Sequence, residues 1–167
     1  MVSRVFLIQE NDRTPSAYTP MMKLAKVFSK TGAALDTESR KAMDVDVWMR
    51  AVAFQTLFGL VDCYPFDNPH NFIVYFRPED GRALPFLWDM DFDFGAPANG
   101  TINRATGNTA RLMQLPGNQR SCTGHLPALI TTTYNTPYVT RRINHSTTAS
   151  AETLGRTRAP GPQRRNA

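Results

Sequence analysis

A chain of 167 residues, 41% hydrophobic and 10% aromatic, can bury one core but is too short for two domains of the usual size. No apolar run approaches the roughly 18 residues a membrane span requires, and the apolar stretch in MVSRVFLIQENDR is too short for a secretory signal. The net charge of +5 is unevenly spread: residues 1–100 carry 10 Lys/Arg against 13 Asp/Glu, a net of −3, whereas residues 101–167 carry 9 Arg against Glu152 alone, a net of +8.

Those nine arginines are scattered, with no aromatic interleaving and no compact basic block, so the pattern does not read as nucleic-acid binding. Cys63 and Cys122 lack CxxC and zinc-type His spacing, and set neither a metal site nor a disulfide framework.

In chain order, VSRVFLIQ at residues 2–9 reads as a short strand, and NDRTPSAYTP after it as a polar loop. A helix is predicted over Pro20–Ser29, with Thr19 as its cap, Pro20 in its first turn and Gly32 beyond its end. Another helical turn is expected near Thr37–Met43. The clearest helix follows: Asp44 is placed to cap it, Val47, Trp48, Ala51, Phe54, Leu57 and Phe58 recur at helical spacing, and Gly59 stops it. VDCYPFDNPH is then a loop, NFIVYF an aromatic, β-branched strand, Asp80-Gly81 a reversal, and ALPFLW the returning strand.

Beyond Gly95 the periodicity fades. APANGTINRATGN is loop, ARLMQL one helical turn or more, and HLPALITTTYNTPYVTRRIN a helix plus an extended piece. From about Ser146 the mix of Thr, Ser, Ala, Arg, Pro and Gly cannot supply a core, which divides the chain into an ordered domain at 1–145 and a basic, disordered tail at 146–167. The fold class expected is α/β in the α+β sense: helices with a β-hairpin.

The hairpin carries the geometric inference. Asn71 opens its first strand and Asp89 ends its second, so in an antiparallel pair the two are neighbours. If the preceding loop folds over that end, Asp62 joins them. Two carboxylates and a carboxamide are hard oxygen ligands of the kind magnesium takes together with phosphate oxygens, and phosphoryl transfer asks little more of this region. Two carboxylates could also serve glycoside hydrolysis as acid and base, the lesser reading. Each also has a plain structural reading: Asp62, Asp67 and Asp91 as turn or cap residues, His70 and Asn71 as strand-edge residues, and Trp88, Phe92 and Phe94 as core. The D-x-D-x-D at residues 89–93 is not an EF-hand loop, since Phe94 stands where Gly is needed and Gly100 where Glu is needed.

Five elements in order resemble the CotH kinase family of atypical, protein-kinase-like proteins. They are the D-x-D-x-W helix start at Asp44–Trp48, the D-x-Y loop at Asp62-Cys63-Tyr64, the His70-Asn71 pair, the aromatic strand Asn71–Phe76, and Trp88-Asp89 ending the next strand. The likeness covers roughly residues 2–135 and implies a kinase-like carboxy-terminal lobe that transfers the γ-phosphate of ATP, with Mg2+, to Ser/Thr hydroxyls of a protein substrate of surface or spore-coat type.

It also implies roles. Asp62 falls on the catalytic aspartate near the acceptor hydroxyl, Asn71 on a metal-binding asparagine, and Asp89 on the metal-binding aspartate. Asp91 would support the metal through water, and the literal D-F-G at residues 93–95 is then coincidental. Lys23, Lys26, Lys30 and Lys41 all fall in or near predicted helices, so no strand lysine is available to anchor nucleotide phosphates. On this reading the chain is a fragment lacking an amino-terminal lobe; the alternative is a non-catalytic, kinase-like surface or spore-coat binding scaffold.

Overall fold

The computed structural model describes residues 15–66, 71–91 and 94–157, so the strand expected at 2–9 lies outside the described residues. The described chain is mixed α/β: six α-helices and one two-stranded antiparallel sheet, preceded by a short 3-10 turn at Pro15–Tyr18. It divides into two compact units, residues 1–127 and 128–167.

In the first unit, α1 (Thr19–Val27) starts one residue before its proline. Thr19 is already helical rather than a cap, and Tyr18 in the N-cap position makes no side-chain cap bond. Gly32 does not simply follow α1. Its φ of 53° belongs to the left-handed region, and it begins α2 (Gly32–Ala42), so the single turn expected near Thr37 is a helix of 11 residues. Leu24 and Val27 of α1 and Leu35 of α2 are buried, while Asp36–Arg40 and Glu38–Lys41 pair along the exposed side of α2.

The best-defined expectation, the third helix, is α3 (Val45–Leu57). Its buried residues are Val45, Trp48, Met49, Val52, Ala53 and Gln55, while Val47, Ala51, Phe54 and Leu57 are only half-buried. The helix was therefore legible, but its core stripe is rotated from the one the spacing suggested. The buried i, i+3, i+4 and i+7 stripe is 45/48/49/52, and Trp48 on it reaches the sheet, donating to the Ala83 carbonyl and packing on Phe72. Asp44 occupies the N-cap position without a side-chain cap bond, and its carboxylate lies 3.6 Å from Arg77 and 3.9 Å from Arg82 instead.

Strands β1 (Phe72–Phe76) and β2 (Ala83–Leu87) pair antiparallel, from Phe72 opposite Leu87 to Phe76 opposite Ala83. The reversal between them is closed by hydrogen bonds from the Gly81 N–H to the Arg77 carbonyl and from the Arg77 N–H to the Arg82 carbonyl, with Gly81 left-handed as the turn requires. Ala83 fastens this hairpin to α3: its carbonyl accepts from the Asp44 N–H at 3.1 Å and from the Trp48 indole N–H at 2.9 Å, and its side chain is fully buried. The opposite hairpin face is apolar yet exposed, with Ile73, Tyr75, Phe86 and Trp88 all open to solvent. Trp88, expected in the core, is 62% exposed.

The first unit continues with α4 (Gly107–Met113), which buries Thr109, Leu112 and Met113, and with the part of α5 (Pro116–Thr132) up to Pro127, which buries Asn118 and Cys122. In the second unit, α6 (Thr136–Thr157) is helical where an extended piece was expected. It runs unbroken across the 145/146 position that sequence suggested as the start of the tail, and residues 158–167 lie outside the described residues. Exposed threonines line α6, and Thr147 and Thr148 bond back to the carbonyls of Ile143 and Asn144, so the helix answers its own polar groups without a core.

Candidate active site

The loop between α3 and β1 carries Asp62. Leu60, Cys63 and Phe66 bury themselves in a small cluster with Phe58, Met90 and Ala105, which sinks the loop into the body while Asp62 stays half-buried. Asn71 stands at the foot of β1, and its amide Nδ2 donates to the Asp62 carbonyl at 2.8 Å. The foot of β1 and the Asp62 loop are thus joined through a backbone carbonyl. Asp89 ends the opposite strand: with Phe72 opposite Leu87, the register sets it one residue beyond the position facing Asn71. It is exposed, as is Asp91.

Asn71 and Asp89 share a further property. Both have left-handed backbones, φ 53° and 50°, as does Phe94 at 61°. Asn and Asp tolerate this region because their short side chains hydrogen-bond locally, and it turns the chain sharply out of the ladder at both strand ends. Phe94 bears the larger penalty and is held by its N–H bond to the Phe58 carbonyl at 2.7 Å, with its ring 6.0 Å from that of Phe58. Expected in the core, Phe94 is 66% exposed: what packs there is its backbone, against Phe58 and Gly59. His70, Asp67, Phe92 and Asp93 lie outside the described residues.

The loop backbone is fastened from several sides that the sequence did not reveal. The Arg104 guanidinium donates to the Leu60 carbonyl at 2.8 Å and lies over the Phe66 ring, 4.6 Å from its centre. The Gln55 amide donates to the Tyr64 carbonyl at 2.9 Å and approaches the Cys63 sulfur at 3.3 Å. Thr106 donates from both its N–H and its hydroxyl to the Pro65 carbonyl. Trp48 packs edge-on to Tyr64 and tilted against Phe72, bridging loop and strand. Tyr64 accepts a hydrogen bond from the Thr109 hydroxyl, and burial pushes its phenol pKa up.

The chemistry of the donors fits a hard cation. Because Nδ2 of Asn71 donates to a carbonyl, its Oδ1 is the acceptor end of the amide, turned away from that carbonyl. Among the described residues no group of three or more His, Cys, Asp and Glu could hold a metal, so Asn71 with carboxylates would have to share a cation with water or phosphate oxygens, as magnesium sites commonly do. All four lysines of the chain sit on α1, on α2 or in the link between them, and Lys41 is paired with Glu38. A groove of about 380 Å³ lined by Lys23, Lys41, Phe76 and Asp80 lies at the turn end of the hairpin, the end away from Asn71 and Asp89.

The six helices and one antiparallel hairpin of the described residues are the make-up of a kinase-like α+β lobe. The family model described as CotH kinase protein matches residues 3–149, and the chain belongs to the CotH kinase family. No curated protein and no solved structure matches it.

Proposed function

We propose that this chain carries the phosphoryl-transfer site of a CotH-type protein kinase, moving the γ-phosphate of ATP to Ser/Thr hydroxyls of a protein of surface or spore-coat type. Asp62 orients the acceptor hydroxyl and takes its proton as the oxygen attacks the γ-phosphorus and ADP leaves; Asn71 and Asp89 are the residues that would hold Mg2+. When bound, the ion would neutralise charge on the phosphate oxygens. The observation that carries the reading is the Asn71–Asp62 hydrogen bond at a strand end adjoining Asp89, with sharp left-handed turns at both ligand positions.

Incubation with radiolabelled ATP, Mg2+ and casein tests it. The expected result is label in the chain or in casein, reduced at least about 100-fold by Asp62→Asn or Asp89→Ala. Label unaffected by either change, or Mg·ATP binding that ignores Asp89→Ala, would overturn the assignment.

A second reading, a kinase-like scaffold that binds without turnover, is favoured by the exposed apolar face of Ile73, Tyr75, Phe86 and Trp88. It predicts a cooperatively melting protein that transfers no phosphate.

A further inference from the structure

We infer that Gln55 and Arg104 are positioning residues for Asp62: they pin the backbone of its loop two residues after it and two residues before it, on either side of the pin that Asn71 places at Asp62 itself. This rests on the phosphotransfer reading of the site.

The three side chains hold alternate carbonyls. Arg104 takes Leu60 at 2.8 Å, Asn71 takes Asp62 at 2.8 Å and Gln55 takes Tyr64 at 2.9 Å. They come from three separate places, the segment before α4, the foot of β1 and the buried side of α3, so no single element's motion can shift the loop without breaking a bond to another. The guanidinium over Phe66 fixes the far end of the same loop.

A second observation concerns the same two side chains. Among the described residues, the buried side-chain atoms without a hydrogen-bond partner are Gln55 Oε1 and Arg104 Nη1, one on each of these two residues. Gln55 is 1% exposed. A buried acceptor or donor left unpaired is unfavourable, and an apolar side chain of similar size would avoid it. That cost is offset at their other ends, which donate to the Tyr64 and Leu60 carbonyls: only a polar donor can hold a backbone carbonyl, and catalysis needs the carboxylate kept within a fraction of an ångström.

The test uses the full chain as wild type, Gln55→Met, Arg104→Gln, Arg104→Lys and Arg111→Gln. Arg111 donates to the carbonyls of Phe28 and Lys30 at the end of α1, so its variant removes a comparable clamp elsewhere. The readouts are kcat and KM for Mg·ATP with casein as acceptor, and hydrogen exchange across residues 60–66 by mass spectrometry. Gln55→Met and Arg104→Gln are expected to lower kcat at least about tenfold, to leave KM within about threefold, and to speed exchange in the loop at least about tenfold. Arg104→Lys, which keeps a donor for Leu60, recovers most of kcat, and Arg111→Gln leaves both readouts near wild type. A kcat within about twofold of wild type in both loop variants, equal losses in Arg111→Gln, or unchanged exchange in residues 60–66 overturns the inference. If the wild type transfers no phosphate, it is the phosphotransfer reading that fails, and the exchange data alone then decide whether Gln55 and Arg104 hold the loop.

Discussion

Asn71 and Gly59 reach the same left-handed backbone region by different means, and substitution separates the reasons. Asn71 has φ 53° and uses its side chain on the Asp62 carbonyl. Gly59 has φ 63°, and a Cβ there would sit 3.3 Å from the Phe94 Cα and 3.4 Å from the Ala96 Cβ. Gly59→Ala therefore combines backbone strain with a crowded contact and is expected to cost about 1–3 kcal/mol by urea unfolding. Asn71→Gly keeps the backbone freedom and loses only the side chain, so it should melt within about 1 kcal/mol of wild type while phosphotransfer falls at least about 100-fold. A large stability loss in that variant would show that Asn71 is there for the fold. At this scale the sequence was informative about identity and silent about context: Asn71 and Asp89 could be named because a strand signal brackets each, whereas Trp88 and Phe94 went to the surface because residue type alone does not say which face of a hairpin is covered.

The helix α3 and the hairpin act as one unit, and the D-x-D-x-W run explains why. Asp44 faces Arg77 and Arg82 across the turn, Asp46 accepts from the Ser121 hydroxyl at 2.8 Å and contacts His125 at 2.9 Å on α5, and Trp48 donates to Ala83. Trp48→Phe removes that donor and part of the packing, and is expected to cost about 1–3 kcal/mol by denaturant unfolding, with α3 still helical by circular dichroism. Two carboxylates, Asp80 in the hairpin turn and Asp46 on α3, also predict a pH response. The Arg77 and Arg82 guanidinium groups that bond the Asp80 carboxylate hold its pKa well below the usual range. The Ser121 hydroxyl, with His125 and Arg50, lowers that of Asp46 against a smaller opposing effect of burial. Both folded pKa values lie below the unfolded value of about 3.9, so what these groups contribute is present above about pH 4 and is lost as pH falls through the folded values. Urea midpoints should therefore fall with acidification below about pH 4, and Asp80→Asn should flatten that fall; an unchanged slope in the variant would refute the assignment.

For the molecule as a whole, ligand binding is the direct check, because a ligand that binds only the folded chain stabilises all of it. Mg·ATP at 100 times its Kd should add about 2.7 kcal/mol to the unfolding free energy of wild type and nothing to Asp89→Ala. Much of this architecture was readable beforehand. The helix at 45–57 and the hairpin with its turn follow from periodicity, β-branched and aromatic runs and a Gly turn, all of which act over a few neighbouring residues. Local signals failed where composition was ambiguous: α2 was longer than its weak pattern suggested, and α6 is helical in a Thr- and Arg-rich stretch with few core residues. They also failed wherever the answer depended on distant partners. Asp44 reads as a cap but is drawn off by arginines more than 30 positions away, and the buried stripe of α3 is chosen by the sheet it meets. The sequence by itself determined which side chains carry the candidate chemistry and the order of the elements bearing them, since both depend on residue type and short-range spacing. Only the tertiary structure decided how the Asp62 loop is held: Gln55, Arg104 and Thr106 lie up to 44 positions from the carbonyls they bond, and nothing in spacing or propensity reports on contacts closed over such a distance.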